Sequence, residues 1–233
     1  MMKGAHSIDL QHVNVKLLLK NSQDLDLDPV IPVFHSWIQG QVCDELLLDV
    51  ADYRHVHGGP GVVLIGHEAD YSVDNTDGRL GVRYNRKATL GGGNQDRLAQ
   101  AALAVISACQ RLQQDTRLNG ELRFNGQDIE IFVNDRLLAP NSEAIREALS
   151  AEFQAFSERL FGETEYSLSF GDDPRRLLGV SLRSSQPASV EDLLQNLRSL
   201  AVPVDEDLAK HCPSSAVPDY DWREELKAAQ GAD

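Results

Sequence analysis

Histidine and acidic side chains crowd one stretch of this chain, Asp52-Tyr53-Arg54-His55-Val56-His57-Gly58-Gly59-Pro60-Gly61, followed by His67-Glu68-Ala69-Asp70-Tyr71. His55 and His57 stand at i and i+2, which on an extended strand puts both rings on one side. If the next segment folds back as a hairpin, His67 approaches them. Three imidazoles with a carboxylate such as Asp52 would then supply the donors of a zinc or iron site with one position open to water. Without a metal, His55 and His67 make an acid/base pair, because imidazole titrates nearest neutrality. The expected catalytic set is therefore His55, His67 and Asp52, with His55, His57 and His67 as the alternative metal set. The plainer reading is two exposed histidines beside a glycine turn and a hydrogen-bonded His67 facing Val63, Ile65, Ala69, Tyr71 and Val73. The spacing alone specifies no metal, and no motif specifies a cofactor.

A second cluster is basic. Arg79-Leu80-Gly81-Val82-Arg83-Tyr84-Asn85-Arg86-Lys87 carries four positive charges in nine residues. Forked guanidinium contacts suit a carboxylate or phosphate, and Arg83 and Arg86, with Tyr71, are the expected contacts of a small anionic ligand. The competing reading pairs these arginines with Glu68, Asp70 and Asp74 on neighbouring strands, as ordinary cross-strand charge pairs. Asn134-Asp135-Arg136 closes an apolar strand and reads as a structural clasp or, less directly, as a pocket rim. Gly58-Gly59-Pro60-Gly61 and Gly91-Gly92-Gly93 have turn chemistry and lack the GxxxxGK[ST] or GxGxxG spacing of phosphate loops. There is no GxSxG, SxxK, HExxH or CxxC, which removes the most sharply defined enzyme classes.

The elements that must position these residues follow from periodicity. Residues 8–20 alternate as a strand with Val13, Val15, Leu17 and Leu19 on one face. Asp28 and Pro29 open a helix carrying Val30, Val33, Phe34, Trp37 and Ile38, to about Val42. Strands are expected near 46–55, 62–73 and 79–86, the first with Leu46, Leu48 and Val50 on its apolar face. Asn94 caps a helix with Leu98, Ala102, Val105, Cys109 and Leu112 at i+3 and i+4 spacing. Leu122 and Phe124 are expected opposite Ile129, Ile131 and Val133 in a hairpin turning at Asn125-Gly126. Pro140-Asn141 opens a helix with Ile145, Leu149, Phe153, Phe156 and Leu160, and strands follow at 165–170 and 177–183. Helix-then-hairpin blocks in succession predict an α+β fold, a largely antiparallel mixed sheet with helices packed on one face.

The expected organisation is one α+β domain over 1–186, an amphipathic helix over 187–202 (Val190, Leu193, Leu194, Leu197, Leu200) and an acidic, largely irregular extension over 203–233 with a net charge of −5. Val217-Pro218-Asp219-Tyr220-Asp221-Trp222 stands out in that extension, because an exposed Tyr and Trp lack an anchoring surface. Residues 217–226 are expected either to pack back on the chain or a second copy of it, giving a homodimer, or to dock a protein partner through Tyr220 and Trp222.

Composition bounds the rest. The chain has 233 residues, 42% hydrophobic and 25% charged, and a formal charge of −14. That balance opposes binding to nucleic acid or anionic lipid, which need a basic face. No stretch reaches the roughly 18–20 apolar residues of a membrane helix, and the start of the sequence lacks the apolar core of a secretory signal. Cys43, Cys109 and Cys212 are three, widely spaced, and form no disulfide framework, so the cytoplasm is the expected location. The function expected on these grounds is a cytosolic accessory or ligand-binding protein with a docking segment at its end, and the alternative is a small-molecule enzyme centred on the His55–Asp70 hairpin.

Overall fold

The computed structural model describes residues 8–20 and 25–199. Its elements run β1 (Val13–Leu19), α1 (Val30–Gly40), β2 (Leu47–Tyr53), β3 (Gly61–Gly66), β4 (Ala69–Asp74), β5 (Gly81–Arg86), α2 (Asn94–Gln114), β6 (Phe124–Val133), α3 (Glu143–Phe161), β7 (Tyr166–Phe170), β8 (Leu178–Ser184) and α4 (Val190–Ser199). The strands form one eight-stranded sheet in the order β2-β3-β4-β5-β1-β6-β8-β7. Every pairing among the described residues is antiparallel, so the sheet is α+β as expected but not mixed. The first and sixth strands are brought together at its centre, which no local pattern dictates.

The apolar alternation of β1 sends Val13, Val15 and Leu17 to the helix-covered face. α2 lies across β1 and β5, α3 along β7, and α4 against β6 and both of those helices, while α1 packs on β2. Leu98, Val105, Phe153 and Phe156 are fully buried there, each stabilising by roughly 1.5–3 kcal/mol relative to exposure. α4 is thus a layer of the same core, through Val190, Leu193, Leu194 and Leu197.

Several local expectations are corrected. Asn125-Gly126 does not reverse the chain. It lies inside β6, where pairing to β1 slips between Leu17↔Ile129 and Leu19↔Phe124. Asn125 Oδ1 accepts the backbone N–H of Gln127 and Asp128 there, and Gly126 takes a left-handed φ of 59°, so turn chemistry makes a bulge rather than a hairpin. The segment 62–73 is two strands joined by His67-Glu68. In that tight reversal Leu64 pairs with Tyr71 and Ile65 with Asp70, so residues that looked in phase along one strand lie on opposite faces. A register shift between Leu47 and Asp49 leaves Leu46 and Leu48 exposed and Leu47 buried. Helix starts differ by a residue or two. Gly93 rather than Asn94 is the cap of α2, with Asp96 accepting its N–H. Asn94 instead ties down the segment before β1, accepting from Leu10 and donating to Ile8. Asp28 makes no cap and pairs with Arg54, and α3 begins at Glu143, after Ser142.

A polar cleft on the open face as candidate functional site

The face of β1 away from the helices carries Asn14 and Lys16, and neither reaches solvent: Asn14 is 0% and Lys16 1% exposed. Register explains their company. Across the sheet Lys16 stands between Arg83 of β5 and Glu130 of β6, while Asn14 stands between Asn85 and Phe132. The β4–β5 turn and the β7–β8 connection arch over this face from opposite ends of β1 and meet in an ion pair between Asp77 and Arg176. The result is a cleft of about 250 Å³ with Lys16, Arg83, Glu130 and Phe132 in its floor and walls, and Asp77, Arg136, Arg175 and Arg176 at its rim.

The charges in it pair off unequally. Lys16 Nζ binds Asp74 Oδ1 at 2.5 Å. That carboxylate also accepts from the Thr76 N–H at 3.1 Å and the Thr76 hydroxyl at 2.9 Å. Arg79 engages Glu130, and Arg175 engages Asp173 at 3.0 Å. Arg83 reaches only 3.9 Å from Asp74, which already accepts from Lys16 and Thr76, and its guanidinium lies over the Phe132 ring, 5.0 Å from the centroid. Arg136 is exposed and has no ion-pair partner among the described residues. Two guanidinium groups are therefore left without a carboxylate of their own in a chain of net charge −14.

Of the expected ligand contacts, Arg83 lies in this cleft, whereas Arg86 and Tyr71 lie on the helix-covered face and cannot join it. They belong to a buried cluster around Glu45, which accepts the Tyr71 hydroxyl at 2.7 Å and the Tyr84 hydroxyl at 2.6 Å. The two rings meet edge to face at 5.1 Å. Gln100 donates to the Tyr84 oxygen at 3.0 Å, and Arg86 pairs with Glu68 at 3.3 Å. Burial pushes both phenols up and the neighbouring Cys43 thiol up to about 11. The hydroxyls are satisfied and burial favours the neutral phenols and thiol, as in a structural core.

The histidines do not gather. His55 and His57 sit in the β2–β3 turn, and His67 sits in the β3–β4 turn at the other end of β3. Six strand residues at roughly 3.3 Å each keep them apart by more than about 15 Å. All three are exposed, and no set of three His, Cys, Asp or Glu side chains among the described residues is placed to hold a metal ion. The alternative metal set His55, His57 and His67 and the pair His55/His67 are therefore corrected. Asp52 is chelated by Arg54, whose guanidinium holds it down at about 2, so it stays ionised near neutral pH and is not a proton carrier there. Tyr220 and Trp222 lie outside the described residues.

The cross-strand charge pairs expected as the plainer reading are present as Arg86–Glu68, Lys87–Asp70 and, at 3.9 Å, Arg83–Asp74. The cleft residues that sequence reading missed are Lys16, Glu130 and Phe132; Asp74 was expected only as a charge partner, and Asn14 lies buried beside them on the same face of β1. Lys16 and Asn14 read as the solvent side of an amphipathic strand, and their one local signal was that the run Val13 to Leu19 holds just these two polar residues and ends in three leucines. Arg136 enters the cleft, while Asp135 caps its own turn and approaches His12 at 3.8 Å. Compared with protein-family models, with curated proteins and with solved structures, the chain matches none. No helix among the described residues is long and apolar enough to cross a membrane.

Proposed function

We propose that this chain is a cytoplasmic binding protein for a small anionic ligand, taken up in the cleft over β1. The observation that carries the reading is the charge imbalance of that cleft: after Lys16, Arg79, Arg175 and Arg176 are matched to carboxylates, Arg136 has no partner among the described residues and Arg83 has only a 3.9 Å approach to Asp74, which Lys16 already holds. Guanidinium groups in a partly enclosed, low-dielectric site favour carboxylate or phosphate. A volume of about 250 Å³ falls just under the range of about 300–1,000 Å³ typical of drug-sized ligands, which suits a small metabolite. The accessory role, with residues 217–226 docking a partner protein, belongs to the same reading. A chain ending at Ser199 that keeps every partner of the full chain would remove it.

Thermal unfolding of the full chain with inorganic phosphate, succinate or sodium chloride at matched ionic strength tests the anion site. A specific anion at a hundredfold excess over its Kd stabilises by about 2.7 kcal/mol, an upward shift of roughly 5–10 °C for a chain of this size. Arg136→Ala should leave the unliganded midpoint in place and shrink the shift. Equal midpoints in all three salts would defeat the proposal.

A further inference from the structure

Asn14 is the one residue of the open face whose side chain is fully enclosed and chemically idle. It is 0% exposed, and neither its Nδ2 nor its Oδ1 finds a hydrogen-bond partner. More than about nine in ten buried polar groups are partnered, so an orphan amide in the middle of a central strand calls for a reason. Its cross-strand neighbours do not supply one: Asn85 turns its amide to Asp70 at 3.5 Å, and Phe132 has nothing to offer. The Arg83 side chain crosses from β5 over β1 to stack on Phe132 of β6, the cross-strand neighbour of Asn14. Arg83 and Phe132 both line the cleft and Asn14 does not, so the side chain that would attract an anion rests on the neighbour of an enclosed amide just outside the cleft.

We infer that the ligand is a small carboxylate bearing a hydroxyl next to its charge, and that Asn14 reads that hydroxyl when Arg83 swings off Phe132 onto the carboxylate. This rests on the anion reading above and specifies its ligand. A carboxylate alone only accepts hydrogen bonds, so it would leave Asn14 Oδ1 unpaired. A hydroxyl both donates and accepts, matching Oδ1 and Nδ2 together. The unpaired cation Arg136 at the rim gives a second carboxylate somewhere to go, so a hydroxylated dicarboxylate fits best.

L-malate and succinate differ by that one hydroxyl, and their affinities for the full chain, by calorimetry, decide the matter. Malate is expected to bind about tenfold or more tightly than succinate, since a site built to pair with a hydroxyl rejects the analogue lacking it. Asn14→Leu should bring malate down to the affinity of succinate, leave succinate unchanged and raise the unfolding midpoint by about 2–4 °C, because it removes an unpaired buried amide. Asn14→Ala replaces it if leucine fails to pack, with the affinities as the readout. Equal wild-type binding of the two acids, or a malate preference that survives the substitution, overturns the role of Asn14 while leaving the anion site standing. Failure of both acids to bind overturns this inference, and the anion site falls with it only if phosphate also leaves the unfolding midpoint where sodium chloride does.

Discussion

Lys16 and Asp74 form an ion pair of 2.5 Å with both side chains 2% exposed, beneath the arch that closes the cleft. A buried pair like this is weak evidence for stability, because desolvation offsets much of the attraction, yet removing one partner strands the other charge. Lys16→Met and Asp74→Asn are each expected to cost about 3–5 kcal/mol in urea unfolding. The double variant Lys16→Met/Asp74→Asn should cost clearly less than the two singles added together. Additive costs would mean that the two groups do not depend on each other.

Cys43 gives a pH dependence with a definite sign. Its folded-state value is raised to about 11 from 9.0, chiefly by burial. The neutral thiol stabilises the fold fully below about pH 9, and that contribution is lost as pH rises toward 11, where the unfolded chain has already released the proton. The buried phenols of Tyr71 and Tyr84 act in the same direction at higher pH. Urea midpoints measured from pH 8 to 11 should fall, and Cys43→Ala should make the fall shallower between 9 and 11. An unchanged slope would place the thiol in water.

Phe153 is fully buried and meets Phe170 of β7 edge to face at 5.9 Å, joining α3 to the far edge of the sheet. Phe153→Ala is expected to lower the unfolding free energy by about 3–5 kcal/mol. A loss below about 1 kcal/mol would show that α3 does not press this side chain into the core.

Gly126 separates a bulge from a hairpin. Its φ is 59°, and a Cβ there would sit inside contact distance of the Ala188 carbonyl, in the connection that leads into α4. Gly126→Ala should therefore cost more than about 1 kcal/mol. In an exposed hairpin turn the strain would remain but the collision with Ala188 would not, so Ala188→Gly, which leaves the carbonyl in place, should not relieve the loss. Alanine tolerated at 126 would contradict the bulge.

Element identity was legible in the sequence because it rests on local repeats. The stripes of α2, α3 and α4 and the alternation of β1 each declare an apolar face within one segment, and Leu98, Phe153 and Leu193 lie buried as those stripes require. Arg83 stood out for the same local reason, a dense basic strand in an acidic chain, and it lines the cleft. What the sequence left open is every property that depends on which distant segments become neighbours. Reading 62–73 as one strand put His67 in the core, whereas a two-residue reversal places it in an exposed turn at the opposite end of β3 from His55 and His57. Asn125-Gly126 has the same intrinsic preference in a hairpin and in a bulge, and pairing of β6 with β1 chose the bulge. Lys16 and Asn14 have the alternation of solvent-facing residues. Only the central place of β1, with β5 on one side, β6 on the other and two connections arched above, turns that polar face into the enclosed floor of a cleft. Periodicity is a property of a few consecutive residues; burial of a polar face depends on what the rest of the chain lays over it.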